Sequence, residues 1–382
     1  MAVRQLSRVP RITIGAGARH EIAALAGSLA APGAQVLLCA DPGLSATGMT
    51  DEVAALLDEG GYRVSVFSDI KSDPSVAQAD AAADLAREIR AELMVAVGGG
   101  SALDLGKAVA AVAGEAAPAG AYALGARPFP PRRLKTICIP TTSGTGSETT
   151  RTAILSGPDG AKLWYWGEEL KADEVILDPE MTATLPAGLT AATGIDALVH
   201  AVEAATNRNA HPANSTYAHE SIRLVARHLE AAVAHPDDLM AREGMARAAA
   251  LAGTAIDNGG TAIAHNIGHA LASLRPIHHG RAVGIAMLAS LPWTVEGNET
   301  AFGACAQAMG ARPTAAGFIA AYEALVRRIG LDLSLRDFDG VTPEVLAAQM
   351  ERPENVAMLR STRREAGPDD LLALAEATLR AA

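Results

Sequence analysis

The feature that most limits how this chain can fold is Leu93–Val97, five apolar residues closed by Gly98-Gly99-Gly100-Ser101. A strand that is apolar on both faces must be covered on both, which is the condition of a parallel sheet packed between helices. Three further runs share this character. Gln35–Cys39 ends at Asp41-Pro42-Gly43, Tyr62–Phe67 alternates in strand fashion, and Lys135–Pro140 is closed by Thr141-Thr142. Ala-rich helical stretches are predicted between them, near 18–30, 48–60, 75–91 and 101–114. Strand, turn and helix in alternation predict an α/β unit with a parallel sheet. Ligands of such sheets sit at the carboxyl ends of the strands, so Asp41, Gly98–Ser101 and Thr141–Ser147 become the first binding candidates.

The pattern changes after Asp178-Pro179. From Pro186 onward the apolar spacing is helical, with Gly and Pro as punctuation and no convincing strand. A chain of 382 residues also exceeds one ordinary core. Two domains are therefore expected, a dinucleotide-binding domain over 1–185 and an all-α, metal-binding and catalytic domain over 186–382. No internal repeat or low-complexity linker separates them. The net charge of −11 and the lack of any Lys/Arg-rich block exclude nucleic acid and anionic membrane as partners. Met1–Pro10 has two arginines and no apolar run, so a secretory signal is not expected. No apolar run approaches the ~20 residues a membrane span requires. Cys39, Cys138 and Cys305 are odd in number and far apart in apolar surroundings. They read as buried reduced thiols, which makes a cytoplasmic location the default.

Gly98-Gly99-Gly100-Ser101 opens a helix directly after a strand, where bare backbone and free N–H groups can meet a pyrophosphate. An ordinary strand–helix turn is the alternative for that piece alone. Thr141–Glu148, rich in hydroxyls and glycine, follows a second strand and offers a neutral cradle for phosphate and ribose oxygens. Two such loops in one sheet favour a dinucleotide. Asp41 suits a ribose 2′-hydroxyl and would repel a 2′-phosphate, selecting NAD over NADP, or it simply initiates a turn before Pro42.

The helical half holds the sharpest pattern. Asp196 and His200 stand at i and i+4, on one helical face. His265 and His269 repeat the spacing, and His278-His279-Gly280 follows. One carboxylate with several imidazoles suits Fe²⁺ or Zn²⁺, with room left for a substrate oxygen. His211, His219, His228 and His235 lie in polar stretches and read as surface residues.

Together these residues resemble the iron-containing (group III) alcohol dehydrogenases, over nearly the whole chain. The likeness is carried by Gly98–Ser101 with Asp104 and Lys107, by Thr141–Glu148, Asp178-Pro179 and Gly194–His200, and by His265, His269 and His279. The resemblance implies a Rossmann-like N-terminal domain and a helical C-terminal domain of dehydroquinate synthase-like architecture, with the active site in the cleft between them. It implies Asp196, His200, His265 and His279 as metal ligands and His269 as a proton-relay or positioning residue, or else a packing residue one turn from His265. It implies Asp41, Gly98, Gly99, Ser101, Thr141, Thr142, Thr145 and Lys162 as cofactor contacts, and a homodimer. The activity implied is NAD-linked hydride transfer with a small alcohol, aldehyde or ketone, whose oxygen takes the open position of the metal site.

Three departures stand out. Asp73 replaces the Asn of many members, Ile256 replaces a bulky aromatic of some, and Arg360-Ser361-Thr362-Arg363-Arg364 replaces the usual Asn-Pro-Arg. If those arginines face the cleft they favour an anionic substrate; the alternative is a solvated charge run. Three rival readings compete with this one. A metal-independent maleylacetate reductase-like enzyme shares the fold, but the intact Asp/His/His/His set opposes it. A dehydroquinate synthase-like lyase is opposed by the absence of lysine in 141–148. A dinucleotide-binding sensor with a structural metal is opposed by the absence of cysteine near 196–279.

Overall fold

The computed structural model describes residues 5–380. Met1–Arg4, part of the stretch in which no secretory signal is expected from the sequence, lie outside the described residues. The chain forms two compact units. One spans Arg8–Thr142 and Gly146–Thr184; the other runs from Leu185 onward and includes Ser143–Thr145.

The first unit is an α/β sheet domain. Its six strands are β1 (Arg11–Ile14), β2 (Gln35–Ala40), β3 (Arg63–Phe67), β4 (Leu93–Gly98), β5 (Lys135–Pro140) and β8 (Glu174–Leu177). All pair in parallel, in the order β1-β8-β5-β4-β2-β3. A separate antiparallel hairpin joins β6 (Thr152–Ser156) to β7 (Lys162–Trp166). The helices are α1 (Ile22–Gly27), α2 (Met49–Glu59), α3 (Val76–Glu88) and α4 (Gly100–Val112). Alternate residues of the central strands feed two cores: Leu37, Cys39 and Met94 pack with α3 and α4, and Val36, Leu38 and Val95 with α1 and α2. This two-sided covering is what the continuous apolar runs require.

The four strands read from apolar runs are present, and four others are not legible as such. β1 and β8 have only four residues each, and β6 and β7 mix apolar with polar residues on a hairpin outside the main sheet. Asp178 ties the start of the chain to the sheet. Buried at the end of β8, it accepts N–H bonds from Gly17, Arg19 and Glu180 and an ion pair from Arg19 at 2.7 Å.

The second unit is entirely helical among the described residues: α5 (Ala187–Thr206), α6 (Pro212–Ala234), α7 (Leu239–Gly259), α8 (Ile263–Leu274), α9 (His279–Thr294), α10 (Glu299–Ala308), α11 (Ala315–Arg328), α12 (Pro343–Met350), α13 (Val356–Ser361) and α14 (Pro368–Arg380). α5 is its axis, buried along nearly its whole length and packed by α6, α7 and α9. The close approaches are made by glycine. A Cβ on Gly194 of α5 would overlap Leu229 of α6, and one on Gly268 of α8 would overlap Val283 of α9.

Of the four histidines expected at the surface, only His235 is exposed. His211 caps α6, accepting from the Asn214 N–H, and His228 packs on Gly244, so both have structural work that polar flanks conceal. The three thiols are free and buried, and burial pushes each up to about 12. Among the described residues no helix is long and apolar enough to cross a membrane.

Candidate metal centre and cofactor cradle

In the sheet unit the chain leaves β2 for β3 on one flank and returns to β4 on the other. That reversal opens a crevice at the carboxyl ends of β2 and β4, the place where such sheets bind ligands. Asp41 and Gly98 meet there. A Cβ on Gly98, whose φ is 149°, would stand 2.8 Å from the Asp41 Cβ and 2.7 Å from that of Ala102. A Cβ on Gly99, the N-cap of α4, would press to 3.3 Å on the Thr142 methyl. Bare backbone before a helix N-terminus is the cradle a pyrophosphate fits. Asp41 also serves its turn, its Oδ1 accepting from the Gly43 N–H at 2.8 Å.

Two buried lysines fix the second loop. Lys107 Nζ donates to the Ser147 carbonyl at 2.7 Å and the Thr150 hydroxyl at 3.2 Å, and Lys171 Nζ to the Thr149 carbonyl at 3.2 Å. Asp104 accepts from the Ser147 hydroxyl and from the Ile154 N–H. The sequence marked Asp104 and Lys107 but not their task, which is to hold the loop; Lys171 gave no signal. Thr141 is buried, Thr142 and Thr145 half-buried. Lys162 is buried on β7, and its ammonium is held by the Asp73 carboxylate at 2.7 Å. Asp73, with a left-handed φ of 59°, also donates its N–H to Ser101 Oγ at 3.2 Å.

In the helical unit, α5 brings Asp196 and His200 to one face, α8 brings His265, and the start of α9 brings His279. One ligand atom from each lies within 4.8 Å of all the others. Nitrogens of His200, His265 and His279 stand 3.5, 3.6 and 3.5 Å from the single oxygen Asp196 Oδ1. These separations are long for hydrogen bonds, and Asp196 Oδ1, His200 Nδ1 and His265 Nε2 are buried without a hydrogen-bond partner. Two ligands bound at 2.0–2.2 Å to one tetrahedral ion stand about 3.4 Å apart, so the spacing and the orphaned atoms both fit a divalent cation.

Burial raises the Asp196 carboxyl, but His200, His279 and His265 outweigh it and hold it below the usual carboxylate range. Burial pulls His200 down to about 3. It acts on His265 too, where Glu203 and Asp196 overcome it and raise the ring to about 9.

Glu203 is the residue the sequence reading missed. It lies three residues beyond His200 on the same face of α5 and bonds His265 Nδ1 at 2.7 Å. The 196/200/203 spacing, i, i+4 and i+7, was the available signal. His269 stands beside the group, its ring 5.3 Å from that of His279 and 6.4 Å from that of His265. His278 is exposed. Ile256 packs against the helical core. Arg364 is engaged by Trp293, stacked at 4.6 Å, and by Glu296, while Arg360 and Arg363 are exposed, which accords with a solvated charge run.

A glycine cradle at the switch point of a parallel sheet, together with a buried Asp/His/His/His centre, defines a metal- and nicotinamide-dependent oxidoreductase. Comparison with known proteins narrows this. Residues 10–179 match the family described as iron-containing alcohol dehydrogenase, and residues 190–379 its C-terminal family. The chain is 38% identical over 284 residues to long-chain-alcohol dehydrogenase 1 of Geobacillus thermodenitrificans, covering 74% of this chain and 71% of that protein. It is 32% identical to sulfoacetaldehyde reductase of Bilophila wadsworthia, covering 98% of each. A solved 1,3-propanediol oxidoreductase superposes with a TM-score of 0.90 at 30% identity, covering 98% of this chain and 100% of the other. The chain belongs to the iron-containing alcohol dehydrogenase family.

Proposed function

We propose that this NAD-linked, metal-dependent alcohol dehydrogenase interconverts a small-molecule primary alcohol, of either short or long chain, and its aldehyde. Asp196, His200, His265 and His279 serve as the metal ligands. The observation that carries this is the set of three imidazole nitrogens at 3.5–3.6 Å around one orphaned carboxylate oxygen. When bound, the cation supplies Lewis-acid polarisation of the substrate oxygen and the nicotinamide carries the hydride.

The chain's own residues do the rest. Gly98, Gly99 and Ser101 receive the pyrophosphate, and Thr141, Thr142 and Thr145 contact the nicotinamide side. Asp41 selects NAD against NADP through the ribose 2′-hydroxyl. Lys162 contacts the cofactor from β7. His269, beside the ligand group but outside it, passes the alcohol proton to solvent. The names of the similar proteins, which cover a long-chain alcohol, a sulfonated aldehyde and a diol, support an alcohol–aldehyde couple without choosing the chain length. The protein works as a homodimer, and its three free thiols suit the cytoplasm.

The test is NAD reduction with a panel of short alcohols and diols on protein stripped by chelator and then given Fe²⁺ or Zn²⁺. Turnover restored by metal and abolished in His265→Ala is the expected result. Full activity without metal would overturn the assignment in favour of a maleylacetate reductase-like reaction.

A further inference from the structure

We propose that Glu203 is a positioning residue of the metal centre: its carboxylate dictates which nitrogen of His265 faces the cation and supplies the second buried negative charge that balances it. The proposal rests on the reading of Asp196, His200, His265 and His279 as ligands.

Glu203 is buried at 3% exposure near the C-terminal end of α5. Four donors converge on it, all from the segment that begins α8. Oε2 accepts from the Ala262 N–H at 2.6 Å and bonds His265 Nδ1 at 2.7 Å. Oε1 accepts from the Ala264 N–H at 2.7 Å and the His265 N–H at 3.4 Å. Backbone N–H groups can only donate, so the carboxylate is cast as acceptor, and a proton on it would face donors. The imidazole must then donate from Nδ1. A neutral ring so fixed has a bare Nε2, the nitrogen that lies 3.6 Å from Asp196 Oδ1 with no hydrogen-bond partner. One carboxylate therefore chooses the tautomer that turns a lone pair toward the ligand group.

The same contacts place the ring. The N-cap residue of α8, Ala262, has no side-chain cap of its own, and Glu203 fills that role from another helix. Four residues along the chain, Asn207 donates its amide to the carbonyls of Gly259 at 2.9 Å and Gly260 at 2.8 Å. The α7–α8 connection is thus fastened to the end of α5 at both its carbonyl and its N–H groups. Charge completes the case, because Asp196 and Glu203 together carry two negative charges against the two positive charges of the ion. Unpaired charge in a buried site is costly, so losing either carboxylate unbalances the loaded centre.

Glu203→Gln separates these roles from bulk. The amide has one acceptor oxygen and one NH₂ group against four donors. With the oxygen kept on the Ala264 and His265 N–H groups, the NH₂ faces Nδ1 and the Ala262 N–H, which deprives that N–H of its acceptor, pushes the ring proton onto Nε2 and blocks it. The probes are Co²⁺ for affinity and ligand field and Zn²⁺ for histidine NMR.

Glu203→Gln is expected to fold with the wild-type circular dichroism, to lose about 10–100-fold in Co²⁺ affinity by chelator competition, and to show altered Co²⁺ d–d bands. Wild-type affinity and bands in Glu203→Gln would overturn the proposal while leaving the ligand assignment intact. A wild type that binds neither metal would overturn both. If Glu203→Gln does not fold, ¹⁵N-histidine spectra of the Zn²⁺-loaded wild type decide. A His265 proton on Nδ1 supports the proposal, and a proton on Nε2 overturns it.

Discussion

Gly280 gives the most direct test of how the helices assemble the centre. It follows His279 at the start of α9, and a Cβ there would stand 2.1 Å from the Ala192 carbonyl oxygen and 3.2 Å from the Asp196 Cβ. The blocking atom is backbone of α5, which cannot swing aside as a side chain can. In Gly280→Ala the start of α9 must therefore retreat from α5 by roughly 1 Å to reach an ordinary contact. Overpacking of this kind costs about 1–3 kcal/mol. The better helix propensity of alanine returns up to ~1 kcal/mol. With the full return, the net expectation is a loss of up to about 2 kcal/mol.

The effect on metal should be larger in proportion. His279 rides on the displaced turn, and a site with bonds near 2.1 Å tolerates only about 0.5 Å of error. A drop in Co²⁺ affinity of at least about tenfold follows. Urea unfolding in chelator measures the first quantity and chelator competition the second. Gly188→Ala, also helical but with nothing within 4 Å of its Cβ, serves as the control and should be neutral or slightly stabilising. An unchanged urea midpoint together with native affinity in Gly280→Ala would refute the claim that this backbone contact places His279.

Other consequences can be checked independently. Asp73→Asn should release Lys162 from its 2.7 Å ion pair and tighten NADH binding up to about fivefold, the scale of a half-exposed pair; unchanged or weaker binding by fluorescence titration would count against Lys162 as a cofactor contact restrained by Asp73. Burial raises the Glu148 carboxyl to about 7, against 4.5 for the free group. The folded protein thus holds a proton the unfolded chain has released, and stability should fall as pH rises from about 4.5 through 7. Glu148→Gln should remove that slope and be the more stable protein above pH 7, by no more than about 3 kcal/mol; parallel urea midpoints for both proteins across pH 5–8 would contradict it. The three cysteines, buried and pushed up to about 12, should not react with a thiol reagent at pH 8 until the protein is denatured, when all three should; fast labelling of the native protein would refute their burial.

Much of this was open to the sequence alone. Leu93–Val97 and Lys135–Pro140 announced buried parallel strands because unbroken apolar runs need cover on both faces. Gly98–Ser101 and Thr141–Glu148 are candidates for cofactor loops on sequence grounds, because glycine and hydroxyls after such strands suit an anion. Asp196 and His200 could be paired because helical periodicity is local, fixed by the chain within one turn.

What only tertiary structure decided depends on contacts between distant segments. The order β1-β8-β5-β4-β2-β3 follows from how helices cover the sheet, and the four-residue strands β1 and β8 are strands only because they find each other. The side-by-side ends of β2 and β4 turn Asp41 and Gly98, 57 positions apart, into one crevice. His279 joins Asp196 because Gly280 lets α9 press on α5. Glu203 meets His265 across 62 residues, and no periodicity encodes that. Local spacing fixes which side chains share a face; which faces meet is settled by packing, where glycine permits approach and a buried carboxylate must find donors.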